Sequence, residues 1–118
     1  MPNPTGLPYT PVVRAGDWVI VSGQIGFVDG ELVSGGFDVE LRQALSNLET
    51  LLAEAGAKMS DVVKTTVLLR HINDYRHMNT LYGEAFPEPR PARSAFGVSE
   101  LPFGALVEVE AWAYTGPR

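Results

Sequence analysis

Cysteine is absent from the 118 residues. That excludes a disulfide framework, a thiolate nucleophile and any thiolate metal site, and it fits a reducing, cytoplasmic compartment. Basic charge is scarce: 9 Lys and Arg against 14 Asp and Glu leave a formal net charge of -5. Such a balance gives no footprint for a phosphate backbone, so nucleic acid is not an expected partner. No apolar run is long enough to span a bilayer, and the opening MPNPTGLPYT lacks a basic region followed by an apolar run, so neither a membrane partner nor a secretory signal is expected. His71 and His77 flank a strand-to-helix junction without ligand spacing on either element, and no metal is expected. Phosphate-binding loops and nucleophile elbows are missing too, since Ser22-Gly23 lacks the surrounding motif and Gly35-Gly36 leads to no Walker lysine.

What is present is enough for a core. With 45% hydrophobic and 19% charged residues, a single domain over residues 1–118 is expected. Met1 to Pro11 read as an extended arm carrying Tyr9. Val12 to Arg14 and Trp18 to Ser22 read as a hairpin, after which Ser22-Gly23-Gln24 marks a bulge and a pocket floor. Asp29-Gly30 and Gly35-Gly36 bound a short strand at Glu31 to Val33. From Asp38, taken as an N-cap, Leu41, Ala44, Leu45, Leu48, Leu51, Leu52 and Ala55 repeat at helical spacing until Gly56. DVVKTTVLLR, residues 61–70, is a β-branched strand. A second helix starts at Asn73 or Asp74 and ends before Pro87, with Tyr75, Met78, Tyr82, Ala85 and Phe86 as its stripe. This order implies an α+β architecture with both helices on one face of a mixed sheet. The other face, with Trp18, Trp112 and Leu106, then lacks an internal cover, which points to a closed oligomer.

The C-terminal stretch RPARSAFGVSELPFGALVEVEAWAY, residues 90–114, carries the chemistry. Pro89 and Pro91 keep Arg90 out of a helix, so a strand from Ser94 to Val98 is entered extended, with Arg93 at its lip. After a turn at Leu101-Pro102-Phe103-Gly104, Ala105, Val107, Val109, Ala111 and Ala113 share a core face. Leu106, Glu108, Glu110, Trp112 and Tyr114 share the opposite one, acidic at one end and aromatic at the other. An arginine holds a carboxylate through a planar fork that lysine cannot copy. On pattern alone, however, a solvated Arg93 and an outward-facing strand Glu108 are the favoured reading of both residues.

Pro8-Tyr9, Ser22-Gly23-Gln24-Ile25, the run from Asp61 to Val67, Asn73-Asp74-Tyr75 with Asn79, Pro91-Ala92-Arg93-Ser94, Leu101-Pro102 and Val107-Glu108-Val109-Glu110-Ala111 follow one another along nearly the whole chain. In these motifs, their order and their spacing the sequence resembles the reactive intermediate deaminases, the RidA or YjgF family. The resemblance implies a chorismate-mutase-like α+β fold, a homotrimer and an active site in each cleft between subunits. It also implies hydrolysis of a 2-imino acid or its enamine tautomer, such as 2-iminobutanoate or 2-iminopropanoate, to a 2-oxo acid and ammonia, without a cofactor. By the same resemblance Arg93 pairs with the substrate carboxylate, Glu108 positions or activates water, and Tyr9, Ser22, Gly23 and Asn79 line the cleft. Many members carry a cysteine where this chain has Ala95. A thiol role is thereby removed, while the Ala95 backbone carbonyl stays available to substrate. The alternatives are a small-carboxylate-binding or regulatory trimer without useful turnover and, against the acidic balance, a ribonuclease or translation inhibitor.

Overall fold

Strict alternation along the C-terminal segment requires a strand with one buried row. The computed structural model, which describes residues 6–118, contains that strand as Val107–Tyr114 (β7), with Val107, Val109, Ala111 and Ala113 all 0% exposed. The hairpin is formed by Val12–Ala15 (β1) and Trp18–Gln24 (β2). β2 pairs antiparallel with β7, and the register shifts between Val21 and Gln24, so the bulge falls on Ser22-Gly23 as the glycine suggested. The first five residues of the arm lie outside the described residues.

Two short strands follow, Phe27–Val28 (β3) and Glu31–Leu32 (β4), paired only with each other. The leucine-rich stripe forms the helix Phe37–Glu54 (α1), burying Leu41, Leu48 and Leu52 completely. Its N-cap is Gly36, not Asp38: the backbone there has φ of 92°, a conformation that glycine adopts without steric cost, so the helix begins earlier than the acidic cap signal suggested. Asp38 instead lies in the first turn, and its carboxylate meets His77 Nε2 on the second helix.

Val62–Leu69 (β5), Tyr75–Ala85 (α2) and Ala92–Gly97 (β6) complete the chain order before β7. β5 and β6 run parallel, a pairing that needs a crossover, and α2 supplies it. β6 starts two residues before the expected Ser94, which puts Arg93 within the strand and not at its lip. The five-stranded sheet has the order β1-β2-β7-β5-β6, antiparallel except at its last pair. Both helices contribute to one core: Leu48 and Leu52 from α1 and Met78 from α2 join Val19, Val67 and Val109 of the sheet. Among the described residues no helix covers the opposite face, where Trp18 is 39% and Trp112 44% exposed and their rings are in edge contact at 6.0 Å. No helix among the described residues is long and apolar enough to cross a membrane.

Candidate active site

Sheet register decides which chemical groups meet. On β5, Thr65 lies opposite Arg93 of β6 and Ala111 of β7, whereas Leu68 lies opposite Phe96 of β6 and Glu108 of β7. Side chains alternate along a strand, so residues of the Thr65 row and the Leu68 row point to opposite faces. Arg93 therefore shares the helix-covered face, and Glu108 the uncovered one. Within one chain the two groups thus stay apart, on opposite faces of the sheet.

Glu108 lines a cavity of about 820 Å³ with Tyr9, Ser22, Gly23, Phe27 and Phe103 among its walls. The β2 bulge makes room for it. A β-carbon on Gly23 would overlap the Glu108 carboxylate, so only glycine lets the acid lie against the strand. Burial pushes the Glu108 carboxyl above the usual range, and the neighbouring Glu110 pushes it further in the same direction. Ser22 has committed its hydroxyl: Oγ donates to the Thr10 carbonyl at 2.7 Å, and its backbone N–H donates to Pro11 at 2.9 Å. These bonds fasten the arm to β2 and so fix where Tyr9 stands.

Arg93 belongs to a separate hollow of about 390 Å³ that includes Asn79, Tyr82, Gly83, Arg90 and Pro91. Its Nη2 donates to the Tyr75 hydroxyl at 3.0 Å, and Nη1 approaches the Met78 sulfur at 3.5 Å. The guanidinium lies 4.8 Å from the Tyr82 ring centre, within cation–π range. Among the described residues no carboxylate comes within ion-pair distance of it. The Tyr82 phenol is held above its ordinary range by burial, offset in part by its bond with Thr65 and by Arg93 and Arg90. Asn79 faces the same hollow with a buried Oδ1 that has no hydrogen-bond partner among the described residues. Ala95 lines neither cavity: it lies opposite Val67 and packs against the core.

Three arrangements were not visible in the sequence: an aromatic pair and two polar anchors on α1. Phe27 and Phe103 form an aromatic pair with ring centres 4.7 Å apart on the Glu108 cavity. Asn47 of α1 donates through one amide nitrogen to the carbonyls of Ile25 at 3.1 Å and Phe27 at 3.0 Å, while Gln43 holds the amide oxygen at 2.8 Å. Glu40, 4% exposed, accepts the Leu106 backbone N–H at 2.8 Å. One polar row on α1 thus secures both loops that wall the cavity. Only the turn at Pro102-Phe103-Gly104 had a visible sequence signal.

Comparison with known proteins agrees with this architecture. Residues 2–115 match the family model described as Endoribonuclease L-PSP. The human protein named 2-iminobutanoate/2-iminopropanoate deaminase is 45% identical over 93% of this chain and 82% of its own. A RutC family protein of Pyrococcus abyssi is 43% identical over 96% of this chain and 90% of its own. Among solved structures, RidA from the Antarctic bacterium Psychrobacter sp. superposes with a TM-score of 0.89 at 34% identity, covering 95% of this chain and 92% of that one. The chain belongs to the RidA (YjgF) family.

Proposed function

We propose that this protein hydrolyses reactive 2-imino acids, or their enamine tautomers, to 2-oxo acids and ammonia, in sites completed between copies of a closed homotrimer. The observation that carries this reading is the division of the chemical groups: a guanidinium suited to a carboxylate lies on one sheet face and a glutamate of raised proton affinity on the other. A neighbouring copy docked on the uncovered face, where Trp18, Trp112 and Val13 are exposed, would bring the two together. Relatives named as imine deaminases support the reaction class.

In this mechanism Arg93 of one copy binds the substrate carboxylate bidentately and orients C2. Glu108 of the next copy, as carboxylate, accepts a proton as water adds to C2, forming the carbinolamine. The acid then returns that proton to the nitrogen, the C2–N bond breaks as ammonia leaves, and the hydroxyl proton passes to the Glu108 carboxylate as the 2-oxo acid forms. An iminium carbon is already electrophilic, so the chemistry calls for no metal or organic cofactor. A proton affinity raised by burial and by Glu110 suits Glu108 to both taking and returning a proton. We place the protein in the cytoplasm as a single domain without a nucleic-acid partner; its net charge of -5 and the acidic Glu108 and Glu110 disfavour a ribonuclease role.

The test mixes two disabled chains. Threonine dehydratase supplies 2-iminobutanoate, and semicarbazide traps what is not hydrolysed. Arg93→Ala and Glu108→Gln should each be inactive with unchanged circular dichroism. Unfolded and refolded together, they should recover activity, with roughly a quarter of sites intact if chains assort at random in a ring. Full activity in the Arg93→Ala protein alone would remove Arg93 from the mechanism, and absence of recovery would end the shared-site reading. Wild-type binding of 2-oxobutanoate without imine hydrolysis would instead identify a carboxylate-binding module.

A further inference from the structure

The Glu108 cavity is divided by chemistry. Ser22, Glu108 and Glu110 supply its polar side, while Ile25, Phe27, Pro102 and Phe103 supply an apolar wall. Phe103 is the unusual member. It is 71% exposed, and its backbone has φ of 61°, a left-handed conformation rarely occupied by a bulky residue. Strain of this kind persists only where surrounding bonds enforce it, and it concentrates at ligand-contacting sites.

Here those bonds are visible. The loop is closed by Gly104 N–H to the Leu101 carbonyl and by Ala105 N–H to Pro102, and Glu40 anchors Leu106 just beyond. Phe27, the other half of the aromatic pair, is held through its carbonyl by Asn47. The backbones that carry the two rings are therefore pinned in advance at the rim of a cavity of about 820 Å³, more room than 2-iminopropanoate fills. A preformed apolar wall beside a few polar groups is the construction that receives a hydrophobic ligand portion.

Resting on the imine-hydrolysis reading above, we propose that the Phe27–Phe103 wall selects 2-imino acids with large apolar or aromatic side chains, and that Phe103 is a specificity-determining residue. With the carboxylate held by the guanidinium and C2 beside the Glu108 carboxyl, a substrate side chain reaching across the cavity meets the two rings. A methyl or ethyl side chain leaves them uncovered.

D-amino acid oxidase with catalase generates the required imines from D-alanine and D-phenylalanine, and semicarbazide reports their survival. The wild-type protein should favour the phenylalanine-derived imine by about tenfold or more in kcat/KM, the scale on which apolar pockets discriminate. Phe103→Ala should bring that ratio towards one, and Phe103→Leu should restore part of it. Calorimetry with phenylpyruvate and pyruvate should show the same loss of discrimination without turnover, with gel filtration run on each variant. A wild-type preference for the alanine-derived imine, or a ratio unchanged in Phe103→Ala whatever its assembly state, overturns this inference and leaves imine hydrolysis standing. Hydrolysis of neither imine overturns both.

Discussion

Gly23 and the Glu108 carboxylate lie so close across the β2–β7 pairing that a β-carbon at residue 23 would overlap Oε2. The glycine is thus a spatial requirement of the acid and does not depend on an unusual backbone angle. Gly23→Ala must turn the Glu108 side chain away, and an off-rotamer side chain costs only about 0.5–1.5 kcal/mol. The expected outcome is at least tenfold lower imine hydrolysis with a melting temperature within a few degrees of wild type. A variant with full activity would show that the carboxylate has no fixed place in the reaction.

Proton affinity at Glu108 makes two pH predictions. Burial, then Glu110, raises its folded-state value above the ordinary 4.5. Between the unfolded and folded values the native state holds the extra proton, so stability falls as pH rises through that window. Glu108→Gln should flatten this part of a denaturant-midpoint profile. If the carboxylate is the base, kcat/KM rises with pH along the acidic limb, and Glu110→Gln should move that limb to lower pH by removing the like charge.

Asn47 offers a test of how the cavity walls are held. Asn47→Ala takes the side-chain donor from the Phe27 carbonyl and leaves the Ile25 carbonyl with the Phe27 N–H alone. The expected cost is about 1–3 kcal/mol in urea denaturation. Asn47→Asp should cost more, because an anionic oxygen then faces the same two acceptors.

Core packing makes the simplest prediction. Leu48 is 0% exposed between α1 and the sheet. Leu48→Ala should lower stability by about 2–5 kcal/mol, depending on how far the cavity collapses. An unchanged denaturant midpoint would contradict the packing described.

Periodicity made the fold legible where a residue's neighbours along the chain decide its environment. The alternation in β7 and the leucine stripe of α1 were readable for that reason, as was the bulge at Ser22-Gly23. Phe27–Val28 is too short to show a period, and Gly36 overrode the cap signal at Asp38 through its backbone geometry. Tyr9, Ser22, Gly23, Asn79, Arg93 and Glu108 all line one or other of the two cavities, as Ala95 does not, but which face each occupies was not legible. Whether Arg93 and Glu108 share a face depends on how β6 registers against β5, and no local pattern encodes that parity. Asn47, Glu40 and Phe103 were hidden because their roles depend on carbonyls, amides and rings brought near by folding.

The sulfur beneath Arg93 has a last consequence. Because the chain has no cysteine, the thioether of Met78 is the oxidisable atom in contact with the guanidinium, and it is 0% exposed. Peroxide reaches such an atom only when the segment covering it opens, and the sulfoxide formed is larger and more polar than the thioether. The rate at which Met78 is converted in dilute peroxide would therefore time the breathing of α2 away from the sheet, with the molecule supplying its own probe.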